Sequence, residues 1–212
     1  MLLALDTALD ACTACLLDGD RVLAAGSEPM PRGHQERLAV LVDELMAEAG
    51  VAFSALDRIG VTVGPGSFTG LRVGMAFAKG LGFALGKPVA GIGTLEALAA
   101  SHSSQDLKAA VIDARREQVY VQAFRGGAAA SQPEALGVAD AAELLIKLDP
   151  SGPSLLIGSG GSLLAEAFPK AVLDGRSGAD PVALARLVAA AVEPSGPPEP
   201  LYLRAPDAKL PV

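Results

Sequence analysis

The chain has 212 residues, a formal net charge of −7, 50% apolar residues and two cysteines. The apolar content excludes a disordered chain, and so few cysteines exclude a disulfide-stapled scaffold. The acidic balance argues against a chain that binds nucleic acid mainly by itself, because phosphate affinity comes mostly from Lys and Arg.

Nothing in the sequence predicts a membrane segment. The most apolar stretch, residues 71–86, is interrupted by Arg72 and Lys79, whereas a spanning helix needs about 20 predominantly apolar residues. The amino-terminal apolar run follows no basic region and is broken by Asp6, which is not the pattern of a signal peptide. We therefore expect a cytoplasmic protein.

The first half of the chain predicts three strands followed by alternating helices and strands. Apolar runs bounded by turn residues predict the strands. Apolar residues at positions 38, 41, 45 and 49 fall on one face of a helix. The predicted order is strands at 2–5, 11–17 and 21–25, a helix at 34–49, a strand at 59–63, a helix at 67–85, a strand at 89–92 and a helix at 94–100.

The second half repeats this order and predicts a duplicated α/β domain. Strands are predicted at 109–113, 119–124 and 155–157, and helices at 139–148, 162–168 and 180–192. Both halves fit the pattern βββαβα, although the third strand of the second half is weakly marked. We expect an N-terminal lobe of residues 1–104 and a C-terminal lobe of residues 105–212, the latter with a Pro-rich linker and a polar tail.

Two short motifs resemble metal-binding motifs, but neither has enough ligands to hold a metal. Cys12 and Cys15 form a C-x-x-C spacing on a predicted strand, where a separation of three places them on opposite faces. His34 and Glu36 resemble part of a zinc helix, but position 38 is Leu. We expect packed cysteines and an exposed histidine near the start of a helix.

The glycine-rich segment 64–74 is the densest signal in the sequence. It follows a strand and opens a helix, where backbone N–H groups can bind an anion, yet its spacing fits neither standard phosphate signature. Glycine inside a helix costs about 1 kcal/mol relative to Ala. Glycines at 70, 74, 80 and 82 therefore favour close approach of another backbone. The helix is apolar nearly all round, which predicts burial on several sides.

Three polar residues stand at the ends of predicted first strands. Asp6 and Thr7 end the first strand of one half, and Asp113 ends that of the other. In a duplicated fold these positions face a cleft between the halves, where they could contact phosphate or metal. They could equally cap turns, as Asp commonly does, and the spacing leaves both interpretations open.

Several motifs in order resemble the TsaB (YeaZ-like) family. They are L-A-L-D-T at 3–7, R-x-H-x-E at 32–36, G-P-G-S-F-T-G-L-R-V-G at 64–74, K-G-L at 79–81, T-L-E-A-L-A at 94–99, I-D-A-R-R at 112–116, V-Y at 119–120 and L-Y-L-R at 201–204. The match covers nearly the whole chain and is loose over residues 125–200.

The resemblance implies the duplicated ribonuclease-H-like fold of the actin, sugar-kinase and heat-shock ATPase superfamily. It implies a non-catalytic subunit that binds and stabilises the catalytic paralogue TsaD, with the ATPase TsaE as a third component. That complex makes threonylcarbamoyladenosine next to the anticodon of tRNAs that read ANN codons. No metal or cofactor is implied for this chain. A vestigial nucleotide cleft at Asp6, Thr7, Asp113 and Arg115, with weak ATP or ADP at a complex interface, stays open.

The resemblance also implies that the first two helices pair with TsaD, or with a second copy when the chain is alone, and that tRNA binds only through the complex. On this chain the predicted contact residues are Leu38, Leu41, Val42, Leu45, Met46, Leu71, Gly74, Met75 and Ala78. Small residues at 74 and 78 would allow close approach of the partner helices.

Two other functions are weighed against this one. The first is an active small ATPase or phosphotransferase of the same fold that uses Asp6, Thr7 and Asp113. The second is a metallopeptidase, which the ligand count disfavours because one histidine beside Glu36 cannot hold a catalytic zinc.

Overall fold

The computed structural model describes residues 1–192, 194 and 196–204. Its first half forms a five-stranded sheet in the order β3-β2-β1-β4-β5. The first strand is antiparallel to the second and parallel to the fourth. The elements are β1 (Leu2–Asp6), β2 (Ala11–Asp18), β3 (Arg21–Pro29), α1 (His34–Ala49), β4 (Arg58–Gly64), α2 (Phe68–Leu85), β5 (Val89–Gly93) and α3 (Thr94–Ala100), with a short 3-10 helix at Phe53–Ala55.

The second half repeats this topology in a sheet ordered β11-β10-β6-β7-β8, with β9 also paired to β7. Its first strand is again antiparallel to the second and parallel to the fourth main strand. The elements are β6 (Lys108–Asp113), β7 (Gln118–Arg125), β8 (Ala128–Ala129), β9 (Glu134–Gly137), α4 (Val138–Leu148), β10 (Leu155–Ile157), a 3-10 helix (Gly161–Leu164), β11 (Val172–Asp174) and α5 (Pro181–Ala190). The predicted duplicated α/β fold is confirmed.

Two predicted elements of the second half differ from those observed, and one observed strand was not predicted. The weakly marked third strand is split into β8 and β9. The helix predicted at 162–168 is only the 3-10 turn Gly161–Leu164, because Pro169 disfavours helical backbone at the residue before it. The three-residue strand β11 was not predicted, since Val172 and Leu173 are both exposed and show no alternation.

The first sheet is covered by helices on both faces, and its strands therefore alternate between two cores. Leu3 and Leu5 of β1 pack with α1 and α2, while Leu2 and Ala4 pack with α5. Cys12 and Cys15 also enter opposite cores, as predicted. Burial raises the pKa of each thiol to about 11, so both behave as packed apolar side chains.

The last helix of each half covers the sheet of the other half. α5 lies on the first sheet, with Leu184 and Val188 buried against it. α3 lies on the second sheet, where Leu95 and Leu98 contact Ile112. Residue 104 lies between α3 and β6, and α3 and α5 each pack on the sheet of the other half.

In the part of the chain that the structure describes, no helix is both long and apolar enough to cross a membrane. The predicted polar tail after Arg204 and residues 193 and 195 of the Pro-rich linker lie outside the described residues.

Candidate functional site: an interlobe cleft and a helix pair

A cleft of about 550 Å³ lies between the two lobes, at the carboxyl ends of strands β1 and β6. In this fold class, ligands bind outside the carboxyl ends of the strands. Its lining consists of backbone and polar side chains from both halves: Ala8, Leu9, Asp10, Gly66, Ser67, Ile112, Asp113, Ala114, Arg115, Tyr120, Ser159, Arg176 and Ser177. Asp113 and Arg115 are the two predicted cleft residues that the structure places there.

The Asp113 carboxylate is occupied in holding the β6–β7 turn. Oδ1 accepts a hydrogen bond from the Arg115 backbone N–H at 2.7 Å, and Oδ2 lies 3.1 Å from Nη1 of the same arginine. Arg115, Arg116 and Glu117 have φ of 63°, 54° and 57°. Left-handed backbone costs a non-glycine residue about 1–2 kcal/mol, so three in succession make this a strained turn that presents Arg115 at the mouth of the cleft.

Asp6 and Thr7 do not line the cleft, which corrects the prediction for both. Asp6 is fully buried, and its Oδ1 accepts hydrogen bonds from the Thr62 hydroxyl at 2.6 Å and the Ala8 N–H at 2.8 Å. Its Oδ2 has no hydrogen-bond partner among the described residues. Burial raises the pKa of this carboxyl, and the hydrogen bond from Thr62 opposes that shift.

The glycine-rich segment explains why Thr7 is covered. A Cβ at Gly66 would overlap the carbonyl oxygen of Ala8, and one at Gly70 would overlap that of Thr7. A Cβ at Gly74 would lie 2.5 Å from the Thr7 hydroxyl. The start of α2 therefore rests on the β1–β2 turn. Close backbone approach is confirmed, and the approaching backbone belongs to the same chain.

The other two glycines predicted inside this helix, Gly80 and Gly82, differ in their surroundings. A Cβ at Gly82 would overlap Val89, whereas nothing lies within 4 Å of one at Gly80. Gly80 is the helix glycine that no contact of this chain explains.

The cleft lining offers hydroxyl and guanidinium groups and the carboxylates of Asp10 and Asp113. Arg176 is paired with Asp174, with Nη2 2.7 Å from Oδ2. Neither histidine lines the cleft. His34 is buried with an unpartnered Nε2, which corrects the prediction of an exposed histidine. No group of three or more His, Cys, Asp or Glu side chains among the described residues could hold a metal.

All nine predicted contact residues on α1 and α2 are buried in the chain's own core, and Leu38 is the one of them that also lines the groove described below, so the residue prediction for this surface needs correction. Each of the nine is buried: Leu38, Leu41, Val42, Leu45, Met46, Leu71, Gly74, Met75 and Ala78. The apolar stripes of both helices are used by this chain's own sheet, which periodicity alone does not distinguish from a partner. A contact surface on the two helices must use their outer faces.

An open groove of about 530 Å³ runs along those outer faces. It is lined by Gln35, Leu38, Ala39, Phe68, Thr69, Arg72, Val73, Ala76 and Phe77. Phe68 within the groove is 53% exposed, and Val40 on the solvent side of α1 is 49% exposed. Sequence reasoning missed most of these residues, although the apolar circumference of α2 was the signal for them.

The two helices carry opposite charge. α1 has four acidic residues and one basic residue, Arg37, whose guanidinium pairs with Glu28 and Glu44. α2 has Arg72 and Lys79 and no acidic residue. The groove therefore separates an acidic helix from a basic one.

The duplicated sheets, the interlobe cleft and the strand order define a protein of the duplicated ribonuclease-H-like fold. A family model described as "TsaD: tRNA N6-adenosine threonylcarbamoyltransferase" matches residues 28–191. An uncharacterized protein of Mycobacterium tuberculosis is 37% identical over 209 residues, which cover 98% of this chain and 93% of that protein.

Two further comparisons carry the name of the family. The tRNA threonylcarbamoyladenosine biosynthesis protein TsaB of Haemophilus influenzae is 40% identical over 124 residues, or 56% of this chain and 51% of that protein. The solved structure of YeaZ from Pseudomonas aeruginosa has a TM-score of 0.78 and 30% identity, covering 95% of this chain and 99% of that one. The chain belongs to the TsaB (YeaZ-like) family, which confirms the resemblance given by its motifs.

Proposed function

We propose that this chain is the non-catalytic subunit of a cytoplasmic complex that makes threonylcarbamoyladenosine in tRNAs reading ANN codons. It binds and stabilises TsaD, and TsaE joins as a third component. The names of TsaB relatives from three bacteria as biosynthesis proteins of this nucleoside support the pathway. The net charge of −7 supports tRNA binding through the partners.

The exposed groove between α1 and α2 is the observation that carries this proposal. The opposite charges of α1 and α2 favour a twofold pairing in which the acidic α1 of one helix pair lies over the basic α2 of the other. That complementarity suits a paralogue with the same helix pair, and it suits a second copy of this chain. Self-pairing is therefore the state proposed for the chain alone.

The cleft supports a role without intrinsic chemistry. An ATPase or phosphotransferase of this fold would need Asp6 and Thr7 in the cleft, and both are buried and hydrogen-bonded elsewhere. We assign no required cofactor to the chain. Weak ATP or ADP binding at the interface of the complex, near Arg115, is the ligand proposal that remains. Calorimetric titration with ATP and Mg²⁺, with and without TsaD, tests it.

Sedimentation with the TsaD protein of the same organism tests the pairing. Ala76→Asp places a charge on the floor of the groove, and Ala189→Asp places the same charge on the exposed side of α5, across the sheet. Ala76→Asp should weaken binding to TsaD at least tenfold and make the chain alone monomeric, while Ala189→Asp changes neither. A folded Ala76→Asp variant that binds like the wild type would show that the interface lies elsewhere.

A further inference from the structure

A segment after the Pro-rich linker crosses both lobes. We refer to residues 198–204 as the C-terminal strap. Pro198 is buried beside β5, where a Cβ at Gly91 would lie 3.0 Å from it. The Leu201 N–H donates to the Val63 carbonyl at 2.7 Å. The strap thus adds to the end of β4 in the first lobe.

The strap is anchored at its other end in the second lobe. Nη1 of Arg204 donates to the Ala114 carbonyl at 3.1 Å, and Nη2 donates to Oε1 of Gln118. Both acceptors flank the β6–β7 turn. Because Leu201 and Arg204 are fixed on different lobes, the backbone of Tyr202 and Leu203 between them is held in place.

Tyr202 projects from this fixed segment onto α2. Its ring centroid lies 5.9 Å from that of Phe68, with the planes tilted by 37°. The Arg72 guanidinium carbon lies 3.7 Å from the Phe68 ring centroid. Arg72, Phe68 and Tyr202 form one cluster, which we refer to as the aromatic cluster, in a chain with only six Phe and two Tyr.

The aromatic cluster is exposed where it meets the groove. Phe68 is 53% and Tyr202 48% exposed, and Phe68 and Arg72 also line the groove between α1 and α2. Aromatic and Arg side chains are enriched among the residues that dominate binding energy at protein interfaces. Tyr202 therefore continues the groove beyond α2 on a segment distant in sequence.

We propose that Tyr202 of the C-terminal strap is a contact residue for the partner that occupies the groove, which is the TsaD subunit. This inference rests on the proposed function. The partner element that reaches the cluster is expected to carry negative charge, because Arg72 is the positive charge of α2 nearest to Tyr202. Two anchors on the strap leave little freedom for the ring to lose on binding, and preorganisation of this kind favours affinity.

Three substitutions test the contact in the full chain with TsaD. Tyr202→Ala removes the ring and should weaken TsaD binding at least tenfold. Tyr202→Phe keeps the ring and should bind within twofold of wild type. Phe83→Ala removes an aromatic side chain that is 92% exposed on α2 and outside the groove, and it should also bind within twofold.

The outcomes separate this inference from the proposed function. If Ala76→Asp abolishes binding and Tyr202→Ala leaves it unchanged, the strap contact is wrong and the pairing stands. If neither variant changes binding, both are wrong. If Tyr202→Ala weakens only self-association of the chain, the occupant is a second copy and the assignment to TsaD is overturned.

A fluorine label on Tyr202 tests the contact with TsaD without removing the side chain. The chain has two tyrosines and no tryptophan, so Tyr120→Phe leaves Tyr202 as its single tyrosine. With 3-fluorotyrosine in this variant, unlabelled TsaD should shift and broaden the one fluorine resonance. A resonance that keeps its position at saturating TsaD would overturn the contact.

Discussion

The Thr7 hydroxyl donates a 2.8 Å hydrogen bond to the carbonyl oxygen of Gly70, a residue 63 positions further along the chain. In the same place, a side chain on Gly70 would overlap the Thr7 carbonyl. The two residues fix the β1–β2 turn against the first turn of α2. The position of α2 on the first sheet depends on this junction.

Gly70→Ala should destabilise the chain by about 3 kcal/mol, because the added methyl has to displace backbone on one side or the other. Urea unfolding followed by far-ultraviolet circular dichroism measures the change. The midpoint should fall without loss of cooperativity.

Gly80→Ala is the matched control in the same helix. Nothing lies within 4 Å of the added methyl group, so the higher helix propensity of Ala should stabilise the chain by about 1 kcal/mol. Equal effects of the two substitutions would mean that helix propensity, rather than contact with Thr7, accounts for Gly70.

Met46→Asp should destabilise the chain rather than act on a partner. Met46 is 2% exposed in the core under α1, and a buried charge without a partner is strongly unfavourable. A loss of about 3 kcal/mol or more is expected in thermal unfolding. Val40→Asp, at a side chain that is 49% exposed, should leave the melting temperature nearly unchanged, and the opposite ranking would contradict the assigned faces.

Glu117→Gly should stabilise the chain by about 1 kcal/mol, because glycine adopts the left-handed backbone of the β6–β7 turn without the penalty of a Cβ. Its φ is 57°, and the backbone carbonyl that accepts from the Val138 N–H is kept. Glu117→Ala shares the loss of charge and keeps the strain. Comparable stability of the two variants in chemical unfolding would rule out relief of strain as the cause.

Asp6 gives the stability of the chain a defined pH dependence. Burial raises its pKa in the folded state above the ordinary value of 3.8, so the folded state binds its proton more tightly than the unfolded state does. Stability from this group is therefore present at low pH and is lost as pH rises from about 4 through the raised value.

Asp6→Asn should remove that loss. The difference in unfolding free energy between wild type and variant is measured from pH 4 to pH 8, and the wild type should fall relative to the variant as pH rises. The coulombic effect of His34 on this carboxyl is lost in the variant and therefore remains in the difference, so the comparison is repeated with His34→Gln in both proteins. A constant difference across the range would show that the folded carboxyl titrates normally.

Periodicity and end signals were enough to predict most of the fold. The helix bounds 34–49 agree with those observed, and Ser67 caps α2 as its position before the apolar run suggests. β11 escaped prediction because a three-residue strand with two exposed apolar side chains has no periodicity. Pairing of such a strand is decided by its neighbour β10.

Only two of the four cleft residues could be placed correctly by the same reasoning. Asp113 and Arg115 could be placed in the cleft because they follow the end of β6. Asp6 ends β1 in the equivalent way, yet its carboxylate is buried against Thr62, Ala8 and the segment at Gly178. An apolar stripe on a helix also does not show whether it faces the chain's own sheet or a partner. Leu41 and Phe68 are equally apolar, and only the sheet beneath Leu41 separates core from surface.

In the proposed pairing, one partner occupies the groove between α1 and α2 at a time. In the proposed pairing, two copies of the chain fill each other's grooves, so self-pairing and pairing with TsaD are mutually exclusive. By mass action, chain made in excess of TsaD would be stored as idle pairs. The amount of active complex would then follow the abundance of TsaD, and the stoichiometry of the two subunits would become a point of control.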